Sequence, residues 1–139
     1  MARILVIDDS PTVVTFAKHA LESAGHEVDG LLHFVDLRAH LNRTPPDLVL
    51  LDLEMPGLSG EKVGEFLRQF ETRRTPIIVY SARDREELEA AAQRLGAAAV
   101  VEKGASQAQL RMVVSLALAD GALGQSPGTR SELGSRDGA

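Results

Sequence analysis

The chain has 139 residues, 15 Lys and Arg against 20 Asp and Glu, a formal net charge of −5, and no cysteine. A chain this long buries roughly two-thirds of its unfolded surface and supports one core without staples. The missing cysteines remove disulfides, thiolate metal sites and thiol nucleophiles together. Mild acidity with only four Phe and one Tyr offers neither a basic stripe for phosphates nor a stacking platform for bases, so direct nucleic-acid binding is not expected. No apolar run approaches the ~20 residues of a membrane span, and the opening Met-Ala-Arg leads straight into a strand-like run instead of a signal peptide. A soluble, cytoplasmic protein without membrane contact is the expectation.

In chain order, residues 4–7 (ILVI) open with an unbroken aliphatic run, which marks a strand covered on both faces. Val13, Phe16, Ala17, Ala20, Leu21 and Ala24 then step along one helix face, with Ser10 as cap, Pro11 at the first helical position and Gly25 as stop. A weaker strand over 28–32 and a short helix over 34–41 follow. Residues 48–51 (LVLL) form the third strand, and Val63, Phe66, Leu67 and Phe70 the third helix. The fourth strand spans 77–80. It feeds a helix begun by Asp84 with Glu87, carrying Leu88, Ala91, Ala92 and Leu95, and stopped at Gly96. The fifth strand spans 98–101. A last helix begins with Ser106 and Gln109 in a capping-box pattern and carries Leu110, Val113, Val114, Ala117 and Leu118.

Strands alternating with helices predict an α/β fold: a (βα)5, doubly wound, five-stranded parallel sheet in the flavodoxin-like order 2-1-3-4-5. Residues 1–120 form this domain. From Gly121 the composition turns to Gly, Ser and Pro with little to bury, so 121–139 are expected to be a flexible tail.

That topology places a crevice above the carboxyl ends of strands 1 and 3. Strand 1 ends in Asp8 and Asp9, strand 3 in Asp52. At about 5 Å and an effective dielectric near 20, each pair of carboxylates repels by roughly 3 kcal/mol, a large share of a small domain's stability. A hard dication relieves that repulsion at neutral pH, and Mg2+ with retained waters suits a shallow rim. Strand 4 delivers Ser81 and strand 5 delivers Lys103 to the same edge. Acids, a metal, a hydroxyl and an ammonium are the parts that hold a transferred phosphoryl group while a carboxylate attacks phosphorus. Taken singly, each part has a plainer explanation. Asp-Asp-Ser-Pro is a solvated helix cap, the residues after Asp52 make a turn, and a lone Ser or Lys is surface. Their joint placement at four strand ends is what favours a site.

Residues 4–11 (ILVIDDSP), 48–60 (LVLLDLEMPGLSG), 76–82 (PIIVYSA) and 96–103 (GAAAVVEK) resemble the receiver domain of two-component response regulators, the chemotaxis-regulator-like fold. The resemblance implies that Asp52 accepts a phosphoryl group from a phosphohistidine on a sensor histidine kinase or phosphotransfer protein. It implies that Asp9, Asp52 and the Glu54 carbonyl ligate Mg2+, with Asp8 acting through water. Ser81 and the Ala82 amide would contact phosphoryl oxygens, and Lys103 would pair with the acyl phosphate. Such a domain is a signalling switch with at most self-catalysed phosphotransfer and dephosphorylation, not a turnover enzyme. It would present an altered face of helix 4, strand 5 and helix 5 to a downstream protein partner. Arg83, Arg85, Glu86, Glu89, Gln93, Arg94 and Arg111 are candidates for exposure there.

The sequence departs from the family at two points. Val100 stands where an aromatic side chain usually swings inward, and Gly104 replaces a proline that commonly follows the lysine with a cis bond. A non-proline cis bond costs about 2.5–4 kcal/mol, so a trans bond is expected. Tyr80, by strand alternation, should point away from Ser81 into packing. Glu54 and Arg83, each two residues beyond a site residue, are expected to project over the phosphoryl group, pair with each other and screen it from water. His19, His26, His33 and His40 recur every seven residues across helix, turn and strand, without ligand spacing, and read as surface or packing. The competing reading is a constitutive pseudo-receiver interaction module, which Val100 and Gly104 favour slightly and the intact acids, serine and lysine argue against. A metal phosphatase of the aspartyl-nucleophile kind fits less well, because its nucleophile follows the first strand.

Overall fold

The computed structural model describes residues 1–55, 58–59, 62 and 75–124. The helix expected over 63–70 and the tail beyond 124 lie outside the described residues.

A parallel sheet runs through the centre: β1 (Arg3–Ile7), β2 (Glu27–Leu31), β3 (Leu48–Leu51), β4 (Ile77–Ser81) and β5 (Ala99–Glu102), in the order β2-β1-β3-β4-β5. This is the expected 2-1-3-4-5 order, with β5 one residue later than its apolar run. The helices are α1 (Pro11–Glu22), α2 (Leu37–Arg43), α3 (Arg85–Leu95) and α4 (Gln107–Gly124). Here α3 and α4 are the fourth and fifth helices of the sequence pattern. The weak 34–41 segment divides into a 3-10 turn (Phe34–Asp36) and α2. The last helix continues through Gly121 to Gly124. One interior glycine costs a helix only about 1 kcal/mol, and Ala122 and Leu123 carry it on.

The caps explain where the helices start. The hydroxyls of Ser10 and Ser106 and the carboxylate of Asp84 accept from the amides of Val13 (3.3 Å), Gln109 (3.1 Å) and Glu87 (3.0 Å). Gly25 and Gly96 take left-handed φ of 92° and 70° after α1 and α3, a conformation glycine adopts without strain.

Alternation along the strands builds two cores. Leu5, Ile7, Val49, Leu51, Ile77 and Val79 face Leu37, Leu41, Leu88, Ala91 and Leu95 of α2 and α3. Ile4, Val6, Leu48, Leu50, Ile78, Tyr80 and Val101 face Ala17, Ala20 and Leu21 of α1 and Leu110, Val114 and Ala117 of α4. A sheet covered on both faces explains the continuous apolar runs. At Gly30 a β-carbon would collide with the Val14 side chain, so the absence of a side chain there lets α1 lie close over β2.

Candidate functional site

The register fixes the rim. Ile7 pairs with Leu51 and Leu51 with Val79, so Asp8 and Asp52 leave adjacent strands at one level and Ser81 ends β4 beside them. Ser81 pairs with Glu102, and the Lys103 amide donates to the Ser81 carbonyl at 3.0 Å. The amides of Asp8 and Asp52 donate to the carbonyls of Leu31 and Ile7. Each acid is therefore held by sheet backbone up to the residue that carries it.

All three strand ends then turn in the same way. The Ser10 amide donates to Asp8 Oδ1 (2.9 Å), the Glu54 amide to Asp52 Oδ1 (3.1 Å), and the Arg83 amide to Ser81 Oγ (3.4 Å). Each side chain caps the amide two residues on, the Asx and Ser turn geometry. Sequence reasoning passed over Ser10 and the Glu54 amide in this orienting role; an acid or serine with a polar turn two residues later was the available signal. After Asp52 the chain makes a two-stranded antiparallel ribbon, pairing Glu54 with Ser59 and Met55 with Leu58, which the aliphatic pattern did not announce.

Carboxylate oxygens of Asp8, Asp9 and Asp52 lie within 4.8 Å of one another. Asp8 and Asp52 are buried and Asp9 is exposed. Lys103 Nζ is 2.8 Å from Asp8 Oδ2 and 3.6 Å from Asp52 Oδ2. Burial raises the Asp52 pKa above the ordinary carboxylate value and the Asp8 charge raises it further, against the opposing pull of the Glu54 amide, while Lys103 also opposes. For Lys103 burial acts downward, but hydrogen bonding and charge from Asp8 and Asp52 outweigh it, and its pKa is raised. Asp8 Oδ2 is fully buried and accepts no aligned hydrogen bond; its partner is the ammonium charge. Three carboxylates that each offer an oxygen within 4.8 Å of the others make an all-oxygen donor set that fits a hard dication.

Ser81 is fully buried and Ala82 exposed. Arg83 is half-buried, not exposed as expected: its Nε lies 3.4 Å from Glu54 Oε2 and its guanidinium reaches the Leu53 carbonyl (3.5 Å). It therefore bends back across the turn after β3, toward the rim. Arg111 is half-buried as well, because its guanidinium reaches Ser23 Oγ beyond α1 (3.4 Å) and so leaves the α3–β5 side. Arg85, Glu86, Glu89, Gln93 and Arg94 are exposed on α3. Val100 packs half-buried against the core beneath α3, while Tyr80 is buried on the opposite face with α1 and α4. Among the described residues no peptide bond is cis, so Lys103–Gly104 is trans. Among the described residues no histidine joins the cluster of Asp8, Asp9 and Asp52. His26 Nδ1 accepts from the Ala2 amide, and His40 Nε2 lies 3.5 Å from Asp29 on the β2 edge.

Residues 4–115 match the response regulator receiver domain family. The chain belongs to that family. It is 33% identical to Protein PilH of Pseudomonas aeruginosa over 120 residues, 86% of this chain and 99% of the relative. It is 37% identical over 87 residues to the phosphate regulon transcriptional regulatory protein PhoB of Rhizobium meliloti, 62% of this chain and 38% of that protein. The chain thus spans nearly all of the first relative and well under half of the second. The structure of the Vibrio cholerae chemotaxis protein CheY4 superposes with a TM-score of 0.77 at 24% identity, over 84% of this chain and 98% of that one, a likeness of fold. This is a receiver domain of two-component signalling, a signalling domain and not an enzyme of the usual kind. No helix among the described residues is long and apolar enough to cross a membrane.

Proposed function

We propose that this receiver domain is a phosphorylation-gated switch that takes a phosphoryl group onto Asp52 from a histidine kinase or phosphotransfer protein in a Mg2+-dependent reaction. The observation that carries the reading is the convergence of Asp8, Asp9 and Asp52, two of which, Asp8 and Asp52, meet the Lys103 ammonium. A dication held by Asp9, Asp52 and the Glu54 carbonyl, with Asp8 acting through water, would supply charge neutralisation for the carboxylates and the incoming phosphoryl oxygens.

The chain's own groups do the rest. A carboxylate oxygen of Asp52 attacks phosphorus, the donor's P–N bond breaks, and its electron pair leaves with the ring nitrogen. Lys103, freed from Asp8 as negative charge arrives, pairs with the acyl phosphate, and the Ala82 amide and Ser81 hydroxyl donate to its oxygens. The added phosphoryl group brings about two negative charges. Turning the Ser81 hydroxyl toward them releases the Arg83 amide, and the loop from Ser81 to Asp84 carries that movement into α3. Val100 is β-branched and has no ring to swing, so this loop and α3 are the route to the face formed by α3, β5 and α4, where a downstream protein docks.

Intact mass after incubation with Mg2+ and a small phosphodonor tests the reading. One phosphoryl group on Asp52 is expected, none in Asp52→Asn, and none when the metal is chelated. A chain that stays unmodified under the first condition, yet binds partners, would instead be a constitutive module.

A further inference from the structure

The last helix differs from the other surface helices in what it shows to solvent. α1 turns Thr15, Lys18, His19 and Glu22 outward, and α3 turns Arg85, Glu86, Glu89 and Gln93 outward, the polar face expected of a helix lying on a sheet. α4 carries only two charges in 18 residues, Arg111 and Asp120. Leu110, Val114 and Ala117 face the core. Met112 and Leu116 lie two residues before and after Val114, which at about 3.6 residues per turn puts them on the opposite side. They are 58% and 61% accessible. Ala108 and Ala119, also exposed, extend the line at spacings of four, four and three. The other large apolar side chains exposed among the described residues, Met1 and Val35, lie at the chain start and in the turn before α2.

A helix apolar on both sides is one that is covered on both sides. The charges of α4 indicate by what. Its first turn carries no acid and its last turn no base, so no side chain of its own complements its dipole, whereas α3 has Glu86 and Glu87 at its start and Arg94 at its end. A second α4 running the opposite way supplies what is missing. With a two-fold axis level with Val114, Met112 of each copy meets Leu116 of the other, and Asp120 of each comes level with Ala108 in the first turn of the other. There the carboxylate faces the positive end of a helix. Parallel copies would instead set two Asp120 carboxylates side by side.

We propose that the outer face of α4 is a self-association surface, and that a second copy of this chain, antiparallel about that axis, covers Ala108, Met112, Leu116 and Ala119. Such a contact is isologous, the same stripe serving both copies. The stripe is about 16 Å long and about 10 Å wide, so a pair buries well under the roughly 1,600 Å2 of a standard interface and is a weak dimer, half-formed on the order of 100 µM. Leu116 and Asp120 also line the open groove between α3 and α4, with Arg85 and Val100. The pair therefore covers one side of the α3–β5–α4 face. None of this depends on phosphoryl chemistry at Asp52.

Sedimentation of the full chain from about 10 µM to about 1 mM, a range that brackets the half-formed point, tests the pair. The mean mass is expected near the 14.9 kDa of one chain at the low end and most of the way to twice that at the high end. Leu116→Arg alters an exposed side chain, so it should keep the Tm and stay monomeric throughout. Asp120→Lys should weaken association by about three- to thirtyfold, because two favourable helix-end contacts are lost. Direction is read from disulfides, since the chain has no cysteine of its own. In antiparallel copies like positions are offset by four residues, about 6 Å along the axis, which added to the helix separation exceeds the reach of a disulfide. An oxidised equal mixture of Met112→Cys and Leu116→Cys should therefore give the mixed disulfide well above the half expected by chance. A mean mass that stays at 14.9 kDa across the range overturns the second copy as the occupant and leaves the stripe to another protein. Association unmoved by Leu116→Arg, or mixed disulfides no more than half of the total, overturns the antiparallel α4 pair.

Discussion

Lys103 Nζ lies 2.8 Å from Asp8 Oδ2 while the Lys103 amide is bonded to the Ser81 carbonyl. One residue thus joins the acid cluster to the strand that carries the buried hydroxyl. The ammonium is the cation that the chain itself supplies to two buried carboxylates. Replacing it by the similar-sized Lys103→Met leaves Asp8 and Asp52 facing each other, a repulsion of roughly 1–3 kcal/mol at an effective dielectric near 20. The raised pKa of Lys103 means that its stabilisation is fully present below the ordinary lysine value and is lost only as pH rises through the higher folded value. At neutral pH the variant should therefore show the whole loss in metal-free urea unfolding. As pH falls through the raised Asp52 value toward the ordinary carboxylate value, part of it should return, because Asp52 takes up a proton and the repulsion falls. A loss that does not shrink as the pH is lowered would contradict this account.

Asp52→Asn should stabilise the metal-free domain. The Asp52 carboxyl holds its proton more tightly folded than unfolded, since burial and then the Asp8 charge raise its pKa. The folded state is thus favoured at low pH and loses stability as pH climbs from the ordinary carboxylate value through the raised one. The amide removes that loss while keeping an oxygen that can accept from the Glu54 amide. A gain of about 1–3 kcal/mol near pH 7.5, or roughly 3–8 °C in Tm, is expected. Stabilisation by added Mg2+ should shrink in the same variant. Calorimetry with and without Mg2+ checks both, and an unchanged Tm would remove the electrostatic strain argued for the pair.

The sheet order and the rim were readable because they rest on patterns with one meaning. Runs such as LVLL at 48–51 are strands covered on both faces, and Asp8, Asp52 and Ser81 follow such runs directly. What escaped was decided by side chains reaching across the chain. The sequence places Arg83 both at a protein-binding surface and as a partner of Glu54; it pairs with Glu54, 29 residues away, and the further hold on the Leu53 carbonyl, 30 residues away, is what the sequence did not announce. Arg111 similarly finds Ser23, 88 residues away. Helix periodicity gives the direction of a residue, not the partner that a flexible arginine reaches. The end of α4 escaped for a different reason: glycine lowers helix propensity without abolishing it, so Gly121 marked a change in composition and not the last turn.

Gly30→Ala should disturb packing and spare the chemistry. The new methyl group meets the Val14 side chain, so α1 must lift from β2 or Val14 must leave its rotamer, at about 1–3 kcal/mol. The second change Val14→Ala vacates the space. The double variant should therefore lose less than the sum of the two single losses. Phosphorylation of Asp52 by a small donor should keep its rate, because the Asp8 and Asp52 positions are fixed by β1 and β3. A strictly additive double variant would show that the close approach is not the constraint at Gly30.

Glu54 and Arg83 should govern how long a phosphoryl group lasts and contribute little to stability. Their ion pair is partly exposed, with side chains 58% and 24% accessible, and such pairs contribute about 0–1 kcal/mol. Both lie two residues beyond a site residue, and the guanidinium also holds the Leu53 carbonyl beside Asp52. Water must approach phosphorus past these side chains to hydrolyse an acyl phosphate. Glu54→Ala and Arg83→Ala should each shorten the lifetime by about three- to tenfold, the scale of a lost water-excluding or charge contact, with a Tm change of only a few degrees. If screening requires the pair, the double variant should decay no faster than the quicker single one. Decay of the intact phosphorylated mass after donor removal supplies the measurement, and unchanged lifetimes in both single variants would exclude the screening role.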